Sequence, residues 1–398
     1  MLTQRFHTTT LIFIGFFLLG LLIILWGVVL PDLSRDLTMS PAQSGWFFLT
    51  MAVGTVTGAY LGGKYVQKFD FLLLFAALAL IEAVVLVLVS MVQQSWQLLL
   101  GIFGFGLFCS VMFTIGHTLI ARLHADRRAK MMGLMDFMFS LGTLAAPFLV
   151  VAIYWSEADW RDSLRLLAAS LLLLALYAYW LTKQHVEVPE AAFTGARHSL
   201  SYRAVLAQPA FVALAFAMFG YGAVEWGNGN WFVSYANSSL AIDTQRARLV
   251  FAFFTAGMVV SRLAFAWFIP LLGSRRLLQI LAVLMLSGAL AIKLLQGETA
   301  LAVGNLLLGL GLGGIYPLLL SSAMDLDPDN GPVLSGLSNI AGSLGCQVVG
   351  LGTGLWAQGQ GIGTAFWMVP MVAAWLCLSA FWFSRYVKTK AKTKAVVA

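Results

Sequence analysis

The chain has 398 residues, 60% hydrophobic and only 10% charged, with a formal net charge of +7 and a mean hydropathy of +0.87. A soluble protein of this length carries about 25% charged residues, so the composition argues against a soluble enzyme or nucleic-acid binder and for a polytopic membrane protein. The basic surplus gathers at the ends of apolar runs and in the C-terminal Lys388–Lys394 tail, which makes anionic lipid headgroups its expected partner and leaves no role for nucleic acid.

Apolar runs of about 20 residues recur twelve times, near 11–31, 44–66, 71–92, 96–120, 130–155, 163–182, 209–237, 247–270, 276–295, 299–324, 332–356 and 363–385. A bilayer offers no water to unpaired backbone groups, and no alternating strand pattern appears, so all twelve are expected to be helices. The first run is too long for a cleavable signal and ends at Pro31-Asp32, where the acid reads as a solvated end residue. The longest polar interruption falls at mid-chain. Four segments follow: an N-terminal six-helix bundle (1–182), a cytoplasmic linker (183–208), a C-terminal six-helix bundle (209–387) and a basic cytoplasmic tail (388–398). With the N-terminus inside, 17 lysines and arginines fall on the inner side and six on the outer, with Arg262 intramembrane; both termini are therefore expected in the cytoplasm. Cys109, Cys346 and Cys377 all lie in apolar runs and read as small core residues.

Charged groups at membrane depth are expensive and mark functional sites by default. In run 4, His117 lies near the inner end; in run 5, Asp136 lies about 9 Å from the inner end at 1.5 Å per residue. The two runs are antiparallel with a short connection, which brings this imidazole and carboxylate to similar depth as a proton site. The plainer alternative is a fixed pair that only holds two helices together. Run 7 contains Tyr221-Gly-Ala-Val-Glu225-Trp-Gly-Asn-Gly-Asn-Trp231-Phe-Val-Ser-Tyr235. Glu225, Asn228, Asn230, Trp226 and Trp231 suit a hydroxylated solute: acids and amides bond hydroxyls, and indole faces cover sugar C–H groups. The same residues serve equally as helix glue, and Trp231 as an interfacial anchor. Glu225 is placed in the outer half and Arg262 in the inner half, so Arg262 either counter-charges Glu225 or pairs with Asp325 at the acidic end of run 10. Glu82 in run 3 reads as protonated or packed against run 4. Runs 10 and 11 add Asn305, Tyr316-Pro317, Asn339 and Gln347, the last two as further substrate ligands.

Twelve runs split by a cytoplasmic loop, with basic loops after runs 2 and 8, resemble the major facilitator superfamily. Its loop 2–3 signature is kept poorly, since Gly58-Ala-Tyr-Leu-Gly62-Gly63-Lys64 has glycine in place of the acid. The 221–235 stretch and Met135-Asp136-Phe-Met-Phe-Ser140…Pro147 resemble the fucose–proton symporter family, TsgA-type members nearest. Gly133, Gly142 and Ala146-Pro147 resemble part of the antiporter motif. The resemblance implies two pseudo-symmetric six-helix bundles and a secondary transporter of a small, sugar-like or other polar solute in the cell inner membrane. It would act as a monomer by alternating access, with Asp136, His117 and Glu225 coupling protons, and sodium as the alternative ion. A proton-antiporting exporter of amphipathic compounds is the rival within the fold, and a non-translocating sensor the rival outside it. No P-loop, metal-ligand spacing or nucleophile–base pair is present, so no cofactor, metal or enzymatic activity is expected.

Overall fold

Helix starts are written into the polar punctuation between the apolar runs. Ser40 accepts a hydrogen bond from the Gln43 backbone in a capping box, Asp70 accepts from Leu73, and Asp159 and Asp243 cap the helices that follow them. The computed structural model describes residues 2–124, 128–184, 205–327 and 330–387, so most of the expected linker and the basic tail lie outside the described residues. Within these there are twelve α-helices and no strand: α1 (Leu2–Asp36), α2 (Pro41–Tyr65), α3 (Phe71–Ser90), α4 (Ser95–Leu123), α5 (Arg128–Tyr154), α6 (Trp160–Thr182), α7 (Pro209–Leu240), α8 (Thr244–Leu294), α9 (Glu298–Gly313), α10 (Ile315–Leu326), α11 (Gly331–Ala365) and α12 (Met368–Ser384).

These twelve helices are not one per expected run. Runs 8 and 9 share α8, whose two arms meet at Gly273. The φ of 74° and ψ of 151° there are open essentially to glycine alone, which is what lets the chain reverse without a loop. Run 10 is divided into α9 and α10 at Gly314. Among the described residues ten segments are long and apolar enough to cross a membrane, and Met368–Ser384 is a shorter apolar helix. The segment Pro41–Tyr65 is not among them: Gln43, Ser44, Thr50, Thr55, Thr57 and Lys64 dilute its apolar character.

The chain divides into two compact units, residues 1–193 with 354–359, and residues 194–353 with 360–398. In the first, α1 lies along α5, α2 along α4, and α3 against α4 and α6. Glycine sets the closest approach: a Cβ on Gly20 would strike the Phe139 carbonyl oxygen, and one on Gly142 that of Phe17. The second unit repeats the scheme. Gly222 of α7 meets Gly342 of α11 as α1 meets α5, and Gly257 of α8 meets the backbone around Leu306 of α9 as α2 meets α4. This repetition of pairings is the pseudo-symmetry expected of two six-helix bundles. Large apolar side chains such as Leu88, Leu173, Trp267 and Leu378 face outward, as a lipid-facing surface requires.

Candidate functional site

Each unit contains one of the two charged pairs expected from the sequence. In the first, the α4–α5 pairing brings His117 Nε2 to 3.7 Å from Asp136 Oδ1. His117 Nδ1 lies 2.9 Å from the Phe113 carbonyl oxygen, which only accepts, so Nδ1 carries a proton and Nε2 faces the carboxylate. Phe16 and Phe113 pack on the imidazole at ring-centroid distances of 5.1 and 6.1 Å. Asp136 is 62% exposed, an accessible carboxylate at the mouth of the pair. The hydroxyls that follow Asp136 along α5 are turned to the backbone. Ser140 donates to the Asp136 carbonyl and Thr143 to the Ser140 carbonyl, so both hydroxyls serve their own helix backbone.

In the second unit, Tyr221 and Glu225 stand one turn apart on α7 and share one partner. Arg262 Nη2 lies 3.3 Å from Glu225 Oε1 and 3.3 Å from the Tyr221 hydroxyl. The Arg262 and Glu225 side chains are 27% and 24% exposed. Tyr316 of α10 places its ring 5.3 Å from that of Tyr221 and donates its hydroxyl to Asn339 Oδ1 at 3.1 Å. The expected difference in depth between Glu225 and Arg262 does not hold. Glu225 is at the middle of a 32-residue helix, longer than a bilayer core needs, and the long arginine side chain covers the remaining rise. The alternative partner is also excluded: Asp325 is exposed in the last turn of α10 and forms no ion pair among the described residues.

The remaining residues of the 221–235 stretch turn inward. Asn228 is fully buried and donates to Asn305 Oδ1 of α9 at 3.1 Å, while Asn305 donates to the Leu301 carbonyl. This is an interhelical amide pair, so in this conformation Asn228 is helix glue, the plainer of its two readings. Asn230 is buried with its Nδ2 unbonded among the described residues, and Gln347 Oε1 is likewise unbonded. Trp231 is 2% exposed, which removes the interfacial-anchor reading, whereas Trp226 is partly exposed. Asn339 is exposed but engaged by Tyr316. Glu82 is fully buried in α3 with neither oxygen bonded among the described residues, and Cys109 of α4 lies within electrostatic reach. Tyr221, Tyr316 and Cys346, which lies near Glu225, were not singled out as site residues by sequence. The i, i+4 spacing of Tyr221 and Glu225 was the available signal for the first.

Two units of repeated helix pairings, with apolar helices long enough to cross a membrane, define a polytopic helical membrane protein. Residues 12–350 match the Major Facilitator Superfamily, and the chain belongs to that family. It is 28% identical over 131 residues to the human sodium-dependent glucose transporter 1, covering 33% of this chain and 25% of that protein. It is 27% identical over 191 residues to a putative metabolite transport protein of Haemophilus influenzae, covering 47% and 45%. The chain thus spans less than half the length of these curated relatives. Its fold is that of the nucleoside transporter NupG, a mutant of which superimposes with a TM-score of 0.79 at 15% identity over 97% of this chain and all of that one. A bacterial homologue of the lysosomal transporter Spinster, inward-facing and unoccupied, gives 0.71 at 14% identity over 98% of each chain.

Proposed function

We propose that the protein is a secondary transporter that carries a small polar, sugar-like solute by alternating access, coupled to protons. The observation that carries this reading is the Tyr221–Glu225–Arg262 cluster: an ion pair three-quarters buried at mid-helix, beside Tyr316 and Asn339. A buried pair of this kind is poor value as a stabilising device, since desolvation offsets most of the attraction. It makes sense as a switch. Protonating Glu225 dissolves the pair and frees the Arg262 guanidinium to donate to solute hydroxyls; losing the proton restores the pair and favours release. His117–Asp136, with its exposed carboxylate, is the second proton-exchanging position, and Asn230, Trp226 and Gln347 complete the polar lining. The relatives named as glucose, metabolite and nucleoside transporters support a hydroxylated solute, and the 221–235 and 135–147 stretches support a place beside the fucose–proton symporters. The relatives named sodium-dependent keep sodium as the alternative ion.

The test is uptake of labelled fucose, glucose and uridine into proteoliposomes under an imposed proton gradient and, separately, a sodium gradient. Accumulation of one solute is expected under the proton gradient, abolished in Glu225→Gln and with a flattened pH profile in Asp136→Asn. Wild-type rates and an unchanged pH profile in both variants would sink the coupling scheme. Proton flow opposite to solute flow would establish the exporter instead, and binding without any flux the sensor.

A further inference from the structure

Away from the charged clusters, the end of the second unit at which α7 terminates holds a polar cavity of about 520 Å³. Its walls include Ser238 and Ser239 from the last turn of α7, Lys293 from the last turn of α8, Gly363 and Thr364 from the last turn of α11, and Trp367 from the start of α12. The backbone creates the space. Gly361 adopts a φ of 77° and ψ of 157°, which interrupts α11 and folds the chain back toward α7, where a side chain on Gly363 would collide with the Ser239 hydroxyl.

Lys293 is the centre of this cavity. Its Nζ donates to the Gly363 carbonyl at 2.7 Å and sits 5.0 Å from the Tyr235 ring centroid and 5.5 Å from that of Trp367. Tyr235 is itself fixed, 2% exposed and stacked on Phe366 at 4.1 Å. An ammonium has three donors, and ring faces attract a cation without supplying a lone pair. Among the described residues Lys293 forms no ion pair, no carboxylate lines the cavity, and the hydroxyls of Ser238, Ser239 and Thr364 bond to nothing. A held cation with unspent donors, three unspent hydroxyls and an indole wall is the complement of an oxyanion carried on a small hydroxylated or apolar body.

We propose that this cavity is a second ligand site, one that binds an oxyanion — a carboxylate or a phosphate — through Lys293, Ser238, Ser239 and Thr364. It is independent of the Glu225–Arg262 cluster and of the transport reading. The same chemistry is offered by a free anionic solute and by a phospholipid headgroup, and the experiment separates the two. Purified protein in a maltoside detergent is titrated calorimetrically with inorganic phosphate, with gluconate and with neutral glucose; in parallel, retention of phosphatidylglycerol is read by native mass spectrometry.

For a soluble ligand, phosphate or gluconate binds saturably and glucose does not. Lys293→Gln then weakens binding at least about tenfold, equivalent to about 1.4 kcal/mol, while Lys293→Arg stays within about threefold. For a headgroup ligand, the lipid is retained by the wild type and lost from Lys293→Gln, and neither free anion binds. Thr364→Val, which leaves the Lys293–Gly363 anchor in place, provides an independent arm and is expected to weaken the same ligand severalfold. If neither anion nor lipid binding differs between the wild type and these variants, Lys293 only ties the α11–α12 turn to α8 and the proposal is overturned.

Discussion

Glu225→Gln keeps the shape of the side chain and takes away its charge, so Arg262 loses the carboxylate it meets at 3.3 Å. At that distance and an effective permittivity of about 20, the attraction is about 5 kcal/mol. Removing one partner of a buried pair costs about 3–5 kcal/mol, and with each side chain about a quarter exposed the lower end applies. For a cooperative unit of this size, about 3 kcal/mol corresponds to a fall in melting temperature of about 6–12 °C. Arg262→Gln instead leaves the carboxylate without its counter-charge, but with an asymmetry: a carboxylate can take up a proton, whereas a guanidinium does not lose one. The arginine variant is therefore expected to be closer to wild type at pH 5 than at pH 8, and the glutamate variant to be penalised at both. The double variant leaves no buried charge and should melt above the sum of the single losses by about 2 kcal/mol or more. Thermal unfolding of the detergent-purified protein, followed by tryptophan fluorescence at both pH values, measures all four species. Additivity of the two single losses within about 0.5 kcal/mol would refute the coupling and, with it, the switch role given to the pair.

Two further outcomes follow from the packing. Gly20→Leu and Gly142→Leu each drive a side chain into a carbonyl of the opposing helix, so folded protein recovered by size-exclusion chromatography should drop severely. Gly133→Ala, with nothing within 4 Å of its Cβ, should behave as wild type; equal damage at all three would show that α1 and α5 do not cross as described. Asn228→Leu should destabilise by about 1–3 kcal/mol by stranding the Asn305 amide, while Asn228→Leu with Asn305→Leu should recover much of it in the same melting assay.

That the chain is helical throughout its apolar runs was legible in the sequence because a bilayer imposes one rule on every segment: about 20 apolar residues with all backbone bonds made internally. The punctuating Ser40, Asp70, Asp159 and Asp243 sharpened the starts, and the family could be recognised from the runs and the basic loops. Asp136 and His117 could be paired by counting residues from a shared helix connection. Counting failed for Glu225 and Arg262, because depth read from a helix end assumes that the helix stops at the membrane surface, and α7 is longer than that. Helical spacing could not tell which way Asn228 and Trp231 face, since the polar residues of α7 are spread around the helix and form no single stripe to orient it. Those directions were decided by tertiary contacts: the glycine approach of α7 to α11, the Asn305 amide on α9 and the reach of Arg262 from α8. Composition and period are local properties and determine which segments are helices; which residue meets which across them depends on how closely the backbones approach, and only the folded chain sets that.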